Sequence, residues 1–274
     1  QFPFKEWVVG SSPTGLTIFF LMFIDKKNVI LEVGSHNGVD GLALALLNPS
    51  IMVYSFEPNY QINQISLLNK KKIEKYFSIK IMNHKIIQKA VSNYNKSAFF
   101  YISNETLLSS LNKFHKKNIF KNKFEKKIKI KSIRLDSFCK QKGIKNILFL
   151  HIDTQGSDLN VLKGLGLYRK KVISGVLETA KNKKIQRYEN ESTLYDVIKY
   201  FKTWKYIITK KEKNFNDFEY NVYFKNLNFK INEFIPKLKI NYNARFFRRI
   251  LENRNTYKDS FLKIYIKYFL HNFF

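Results

Sequence analysis

The 274-residue sequence contains a single cysteine, Cys139, and no C-x-x-C pair. One thiol cannot form an internal disulfide, and the paired cysteines of zinc ribbons and thioredoxin-like sites are missing. We therefore expect a reducing compartment and a cytoplasmic protein. Because a free cysteine behaves as a small apolar side chain, Cys139 is expected to be a helix-packing residue.

Long apolar runs are also missing. The run from Leu16 to Ile24 is closed by Asp25, Lys26 and Lys27, well short of the ~20 residues that a membrane-spanning helix needs. It also lacks the basic start and the small-residue cleavage site of a signal peptide. We expect no transmembrane span and interpret the run as a core-facing helix before the first strand.

Three motifs of nucleotide and nucleophile chemistry do not occur. The chain has no G-x-G-x-x-G turn, no Gly-Lys-Ser/Thr phosphate loop and no G-x-S-x-G nucleophile elbow. These motifs are typical of NAD-dependent oxidoreductases, P-loop proteins and serine hydrolases with a catalytic triad. Their absence argues against all three classes.

Acidic residues are few: 21 Asp and Glu stand against 49 Lys and Arg, a formal net charge of +28. This charge favours an acidic partner such as nucleic acid, anionic lipid or a polyanionic glycan. The lysines are scattered, however, and a genome rich in A and T would produce the same composition without such a partner. Apolar residues make up 45% of the chain, which suffices for the core of one α/β domain with extensions.

The most informative stretch is Val29–Gly38, V-I-L-E-V-G-S-H-N-G. Its apolar start predicts a buried strand, and the Ala/Leu-rich run from Val39 to Leu47 predicts a helix. Between them the backbone turns sharply, and the helix N-terminus offers unpaired N–H groups to a ligand. Such turns are common in α/β proteins, so this pattern alone leaves a ligand site and a plain structural turn equally open. The candidate ligand-binding residues here are Glu32, Gly34, Ser35, His36, Asn37 and Gly38.

A second predicted strand, Ile51–Phe56, ends at Glu57 and Pro58. In Rossmann-like units an acid about 20 residues beyond the Gly turn accepts hydrogen bonds from ribose hydroxyls. Glu57 follows Gly38 at that spacing. The alternative interpretation of Glu57 is a solvated loop carboxylate beside a proline turn.

Strands and helices alternate along the rest of the chain, which predicts a doubly wound α/β sheet. The charged segment Lys113–Lys127 has no clear apolar face, and we interpret it as an exposed linker or as a loop that covers a site. Strands are predicted at 79–83, 86–92, 97–103, 127–133, 146–152 and 172–177, with an antiparallel pair at 205–209 and 219–224. Helices are predicted at 60–76, 136–142, 159–164 and 192–200.

The segment His151–Gly164, H-I-D-T-Q-G-S-D-L-N-V-L-K-G, resembles a signature of the FkbM family of S-adenosylmethionine (SAM)-dependent methyltransferases, K-x-D-x-E/Q-G-x-E/D-x-x-V-L-x-G. Other segments agree in order: Glu32–Gly38 is similar to the family's D-x-G-A-N-x-G turn, Phe56–Asn59 to its F-E-P box and Leu135–Phe138 to its T-L-D-S/D box. The resemblance extends from about Val29 to Phe224. Two shorter boxes fall at Ala90-Val91 and Ser109–Leu111.

The sequence departs from the family pattern at three positions. Glu32 stands where Asp is usual, His36 where Asn is usual, and His151 where Lys is frequent. The first two departures affect details of the expected cofactor contacts. His151 lies inside a predicted strand, and we interpret it as a core histidine.

The resemblance implies a mostly parallel, seven-stranded Rossmann-like methyltransferase sheet with helices on both faces, and SAM as the cofactor. It places the Gly turn along the methionine part of SAM and Glu57, with Pro58, at the ribose. Ala90 and Val91 become candidate adenine neighbours, although base rates favour ordinary strand core for both.

Asp153, Gln155 and Glu178 lie at the carboxyl ends of predicted strands, where doubly wound sheets bind ligands. Methyl transfer requires alignment of the acceptor with the methyl group, and a hydroxyl acceptor gains from a base within hydrogen-bond reach. Asp153 is the candidate base or orienting residue and a candidate cofactor contact, and Glu178 is its alternative or helper. Both carboxylates can instead bond to a helix N-terminus. Both are also hard-cation ligands, although we predict no metal site.

The resemblance implies a hydroxyl acceptor on a sugar, glycan, glycolipid or secondary metabolite. Two alternatives stay open: a non-catalytic basic module that binds RNA or a membrane surface, and an RNA methyltransferase. The N/D-P-P-Y/F box often used to methylate base nitrogens is absent, which disfavours nucleic acid.

We expect three parts: an N-terminal cap segment over 1–28, the methyltransferase domain over 29–226, and a helical extension over 227–274. The extension is rich in Lys, Arg, Phe, Tyr and Ile. Basic aromatic helices of this kind suit an anionic membrane surface, which would make the protein peripheral there. Packing against the core or against a partner is the other interpretation.

Overall fold

The computed structural model describes residues 24–116, 122–213 and 218–229. The apolar run predicted as a helix, apart from Ile24, and the extension beyond residue 229 lie outside them. Those two expectations therefore remain predictions.

The strands and helices of the described residues follow the predicted alternation. The strands are β1 (Asp25–Val33), β2 (Ile51–Phe56), β3 (His84–Ile87), β4 (Ala90–Val91), β5 (Ser97–Ser103), β6 (Phe124–Ile133), β7 (Asn146–Ile152), β8 (Val172–Ala180), β9 (Tyr206–Lys213) and β10 (Glu219–Asn226). The α-helices are α1 (Val39–Leu47), α2 (Tyr60–Phe77), α3 (Leu135–Lys142), α4 (Asp158–Lys163) and α5 (Leu194–Trp204). Short 3₁₀ helices cover Thr106–Leu108, Gly166–Lys171 and Lys183–Ile185.

The main sheet has seven strands in the order β3-β2-β1-β7-β8-β10-β9. The pairs from β3 to β8 are parallel, and β10 is antiparallel to both β8 and β9. Parallel strands need cover on both faces. Phe138 and Phe201 contribute to the core on one face, and Leu42 and Leu44 to the core on the other. The predicted doubly wound, mostly parallel sheet is confirmed.

The predicted strand at 79–83 is wrong, and the strand predicted at 86–92 divides at Lys89 into β3 and β4. Asn83 explains the late start of β3, because its side-chain amide donates to the carbonyls of Ala45, Asn48 and Ile51 at 2.9, 3.0 and 3.0 Å. These bonds fix the chain just before the strand.

A second sheet, in the order β4-β6-β5, is inserted between β3 and α3. β6 pairs with β4 in parallel and with β5 in antiparallel fashion. Phe100, Ile102 and Ile130 form its buried side. Since β6 begins at Phe124, the end of the segment predicted as a linker is strand instead.

Helix α5 begins with the hydrogen bonds of a capping box. The Thr193 hydroxyl accepts from the Asp196 N–H at 3.4 Å, and Asp196 Oδ2 accepts from the Thr193 N–H at 2.9 Å. We expect Thr193→Ala to lower the free energy of unfolding by about 1 kcal/mol, measured by urea denaturation. Thr193→Ser keeps the hydroxyl and should lose less than half of that. Equal losses in both variants would contradict the capping role.

Candidate active site

A cleft opens at the carboxyl ends of β1, β2 and β7, and we call it the central cleft. Parallel α/β sheets bind ligands at this edge. The cleft collects sequence-predicted residues from four separate segments. They are Gly34, His36, Glu57, Pro58, Ala90, Val91, Asp153 and Gln155.

The turn after β1 is closed by backbone contacts on two sides. The N–H groups of Gly34 and Ser35 both donate to Phe56 O at 3.0 Å. Gly34 has φ +87°, and a Cβ there would lie 1.7 Å from Asp153 O. Glycine is therefore required because the turn contacts the residue that follows β7. The sequence analysis explained this glycine only by the sharp turn and the approach of a ligand.

Glu57 is buried, with 6% of its surface exposed, and it lines the cleft. One carboxylate oxygen accepts from the His36 N–H at 3.1 Å and the other from the Asn59 N–H at 2.8 Å. Burial raises the pKa of Glu57 to about 7, and the two N–H bonds oppose that rise. The carboxylate thus ties the Gly turn to the start of α2.

Glu32 does not reach the lining of the central cleft. Its Oε2 accepts from the Ser55 hydroxyl, which also lies 2.8 Å from His84 Nε2. Burial and the charge of Asp40 hold the pKa of Glu32 well above its usual range. Glu32 therefore lies in the core beside α1, and a direct cofactor contact by this side chain stays a prediction without support from the geometry.

Ser35, Asn37 and Gly38 belong to the turn but not to the cleft lining. Asn37 O accepts from the buried Asn69 amide at 3.0 Å, which explains the polar residue in the apolar stripe of α2. Gly38 caps α1 with φ 75°. These residues hold the turn in place.

The candidate catalytic residues meet at the β7 side of the cleft. Gln155 Nε2 donates to Asp153 Oδ1 at 2.7 Å and approaches Glu178 Oε2 at 3.4 Å. Burial raises the pKa of both carboxyl groups, and the charge of Asp153 raises that of Glu178 further. Asp153 and Gln155 line the cleft, whereas Glu178 is not part of its lining.

The segment from Thr106 to Leu111, which contains the Ser109–Leu111 box, is not among the site residues predicted from the sequence. Thr106 and Leu107 line the cleft, and a 3.0 Å hydrogen bond joins Thr106 Oγ1 to His36 Nε2. The Ser110 hydroxyl donates to Gln155 O at 2.6 Å. Apart from the Ser109–Leu111 box, no local sequence signal indicates this placement, because an isolated bridge between Tyr101 and Ser110 attaches the segment to β5.

Tyr188, which is fully buried, is a second residue missed from sequence. Its hydroxyl lies within hydrogen-bond distance of Leu108 O (2.9 Å) and Gln155 Oε1 (3.0 Å). Gln155 itself has φ +53°. Tyr188 therefore helps to hold the amide of Gln155 toward the two carboxylates.

Among the described residues, one group of metal-type donors comes close together. Donor atoms of Glu32, Asp40 and His151 lie within 4.8 Å of one another. None of the three lines the central cleft. Asp153 and Glu178, the carboxylates singled out from sequence, are outside this group.

The family model of the methyltransferase FkbM domain matches residues 32–216. This chain belongs to the FkbM methyltransferase family. The resemblance seen in the sequence motifs is thereby confirmed. A search of curated proteins finds no match. In the described residues, no helix combines the length and apolar character that crossing a membrane requires.

Solved structures of methyltransferases are similar to this chain at low identity. The FkbM methyltransferase from Methylobacillus flagellatus KT is 14% identical with a TM-score of 0.47, and the match covers 74% of this chain but 45% of that one. TrmK from M. capricolum, solved with S-adenosyl-homocysteine, is 14% identical with a TM-score of 0.42, over 90% of both chains. A SAM-dependent methyltransferase from Aquifex aeolicus is 11% identical with a TM-score of 0.39, over 75% of this chain and 85% of that one.

Proposed function

We propose that this FkbM family member is a SAM-dependent O-methyltransferase that acts on a sugar hydroxyl. The observation that carries the proposal is Glu57, a buried carboxylate that lines the central cleft beside the Gly turn. A carboxylate at the end of the second parallel strand suits a vicinal diol, such as that of a ribose. The hydroxyl acceptor rests on the family resemblance.

The cleft residues fit the three parts of SAM. Ala90 and Val91 offer an apolar wall for the adenine, and Glu57 offers acceptors for ribose hydroxyls. Gly34 and His36 line the side for the methionine part, beside Asp153. When bound, SAM supplies an electrophilic methyl group. No phosphate has to be held, which suits a lining that carries the carboxylates of Glu57 and Asp153.

Asp153 is proposed as the group that takes the acceptor's proton. Burial raises the pKa of Asp153, and burial together with the charge of Asp153 holds the pKa of Glu178 well above its usual range. Since Asp153 lines the cleft and Glu178 does not, we place the ionised form on Asp153. Gln155 orients that carboxylate through the 2.7 Å bond.

The test is methyl transfer from methyl-labelled SAM to a panel of mono- and oligosaccharides, with the methyl ether located by mass spectrometry. With the acceptor that the panel yields, we expect Asp153→Asn to slow single-turnover transfer by about 10²-fold or more. Glu212→Gln, on the remote edge strand β9, should keep the wild-type rate. Transfer to RNA alone, or no transfer from a protein that binds SAM, would contradict the proposal.

The pH dependence of binding follows from Glu57. The ionised carboxylate accepts ribose hydroxyl hydrogens, and its pKa in the free protein is about 7. The affinity for S-adenosylhomocysteine (SAH) should therefore fall as the pH drops below about 7, by up to about tenfold per pH unit. Calorimetry between pH 5.5 and 8.5 measures this.

Glu57→Gln is the matched control because it cannot titrate. Its SAH affinity should change little across the same pH range. A similar slope in wild type and variant would assign the titration to another group and overturn the role of Glu57.

A further inference from the structure

Three metal-type donor side chains from separate elements meet beneath the first turn of α1. Glu32 on β1 and His151 on β7 stand opposite each other in the parallel pairing of these strands, so their side chains lie on the same face of the main sheet. Ile30 and Phe149, two residues earlier on each strand, belong to the core on that face. Asp40 is the second residue of α1. The fold therefore brings two carboxylates and one imidazole together.

The three side chains leave a gap between them. One donor atom of each lies within 4.8 Å of the other two. In the described residues, however, no ion pair within 4.0 Å joins His151 to Glu32 or Asp40, and the side chains of Asp40 and His151 form no hydrogen bond. Two donors bound to one cation at about 2.0 to 2.4 Å can be up to about 4.8 Å apart. The gap therefore has the size of one metal ion.

Negative charge is concentrated at this gap. Glu32 is only 1% exposed. Burial raises its pKa, and the charges of Asp40 and Asp153 raise it further. The Ser55 hydroxyl donates to Glu32, but a neutral donor leaves the negative charge in place. Since no Lys or Arg of the described residues pairs with Glu32 or Asp40, and buried charges are generally paired or coordinate metals, a bound cation would supply the missing positive charge.

The donor set indicates which cation fits. Mg²⁺ and Ca²⁺ take oxygen ligands, whereas an imidazole together with carboxylates is a ligand set of Zn²⁺. Three protein ligands also leave a fourth position for water, as in open zinc sites. Asp40 and His151 are half-buried, so an ion can enter from their side.

We propose that Glu32, Asp40 and His151 bind a divalent transition-metal ion of the Zn²⁺ type, at a site outside the lining of the central cleft. The ion would tie the first turn of α1, which directly follows Gly38 of the Gly turn, to β1 and β7. The proposal does not depend on the proposed function. The sequence analysis did not predict this site, because only the pairing of β1 with β7 brings His151 to Glu32.

The test uses the full chain, freed of metal with EDTA and then dialysed. Zinc binding is measured by competition with a chromophoric chelator, and stability by thermal unfolding. We expect one Zn²⁺ per chain with micromolar or tighter affinity, and a rise in Tm of about 3 °C or more at saturation. Mg²⁺ at the same concentration should produce no such rise, because it favours an all-oxygen ligand set.

Two variants remove one ligand each from the half-buried side of the site. Asp40→Asn and His151→Asn should each weaken Zn²⁺ binding by about tenfold or more, since even a partner behind the ligands is worth about 10- to 100-fold. Without metal, Asp40→Asn should have a Tm at least as high as the wild type, because it removes repulsion of Glu32. A purely structural role of Asp40 would lower that Tm instead.

The matched controls are His115→Asn and Glu212→Gln, which remove an imidazole and a carboxylate elsewhere. Both should keep the wild-type Zn²⁺ affinity within about twofold. Absence of Zn²⁺ binding by the folded wild-type protein would overturn the proposal, because the gap would then hold water at most. Equal Zn²⁺ affinity in the wild type and both ligand variants would show an adventitious ion only. SAH titration of the metal-free protein tests the proposed function separately.

Discussion

Replacing Glu57 by Ala is expected to weaken the binding of SAH by about 100-fold. The variant loses a carboxylate with two acceptor oxygens on the cleft side, and charged hydrogen bonds of this kind contribute about 1.5 to 3 kcal/mol each. It also releases the N–H groups of His36 and Asn59, which the carboxylate holds at 3.1 and 2.8 Å. Isothermal titration calorimetry with SAH measures the change.

The control for this variant is Glu212→Ala, which removes the same charge on β9 at the far edge of the main sheet. Its SAH affinity should equal that of the wild type. Unchanged affinity in Glu57→Ala itself would show that the ribose does not lie at this carboxylate. The cofactor orientation proposed above would then be wrong.

Replacing Gly34 by Ala is expected to cost at least about 3 kcal/mol of folding free energy. A left-handed backbone alone costs a residue with a Cβ about 1 to 2 kcal/mol. At Gly34 the new Cβ would also lie 1.7 Å from the carbonyl oxygen of Asp153. This oxygen belongs to the backbone, so it cannot relieve the clash by a rotamer change as a side chain could. Urea denaturation followed by circular dichroism measures the loss.

Gly143 offers a matched control for the steric part of that cost. It caps α3 with φ +64°, and a Cβ there would meet nothing within 4 Å. Gly143→Ala should therefore lose only about 1 kcal/mol, from the backbone conformation alone. If the two variants are equally stable, the close approach of the first turn to the end of β7 does not limit the fold.

The main sheet could be predicted from the sequence because its signals are local. β2 and β7 have the predicted bounds, and α1 covers the predicted residues Val39–Leu47. Gly143 ends α3 in the left-handed conformation, directly after the helix predicted at 136–142. In each case a short apolar run or a terminating residue determines the element without help from distant contacts.

The strands β5 and β6 were predicted, but their pairing into a separate sheet and the part of that sheet in the site could not be. β4 has two residues and forms only because β6 lies beside it. Thr106 and His36 are 70 positions apart in the sequence. The period of apolar residues along a strand or helix gives no information on a contact between such distant residues. Long-range pairing, rather than local propensity, therefore brings Thr106 and Leu107 to the cleft.

The direction in which each side chain points is the second feature that the sequence did not predict. Glu32 lies in the most informative motif, yet its position on β1 points it into the core toward Ser55. The residue after the same strand, Gly34, reaches the cleft. A sequence motif can indicate which loop binds a ligand. The alternation of side chains along the preceding strand then determines which residues of the motif face that ligand.

Isothermal titration of the purified wild-type protein with SAH, with NADH as the control ligand, tests the central claim most directly. We expect one molecule of SAH to bind per chain with micromolar affinity, and NADH not to bind. Binding of NADH in place of SAH, or of neither ligand by folded protein, would contradict the claim that the central cleft is a SAM site.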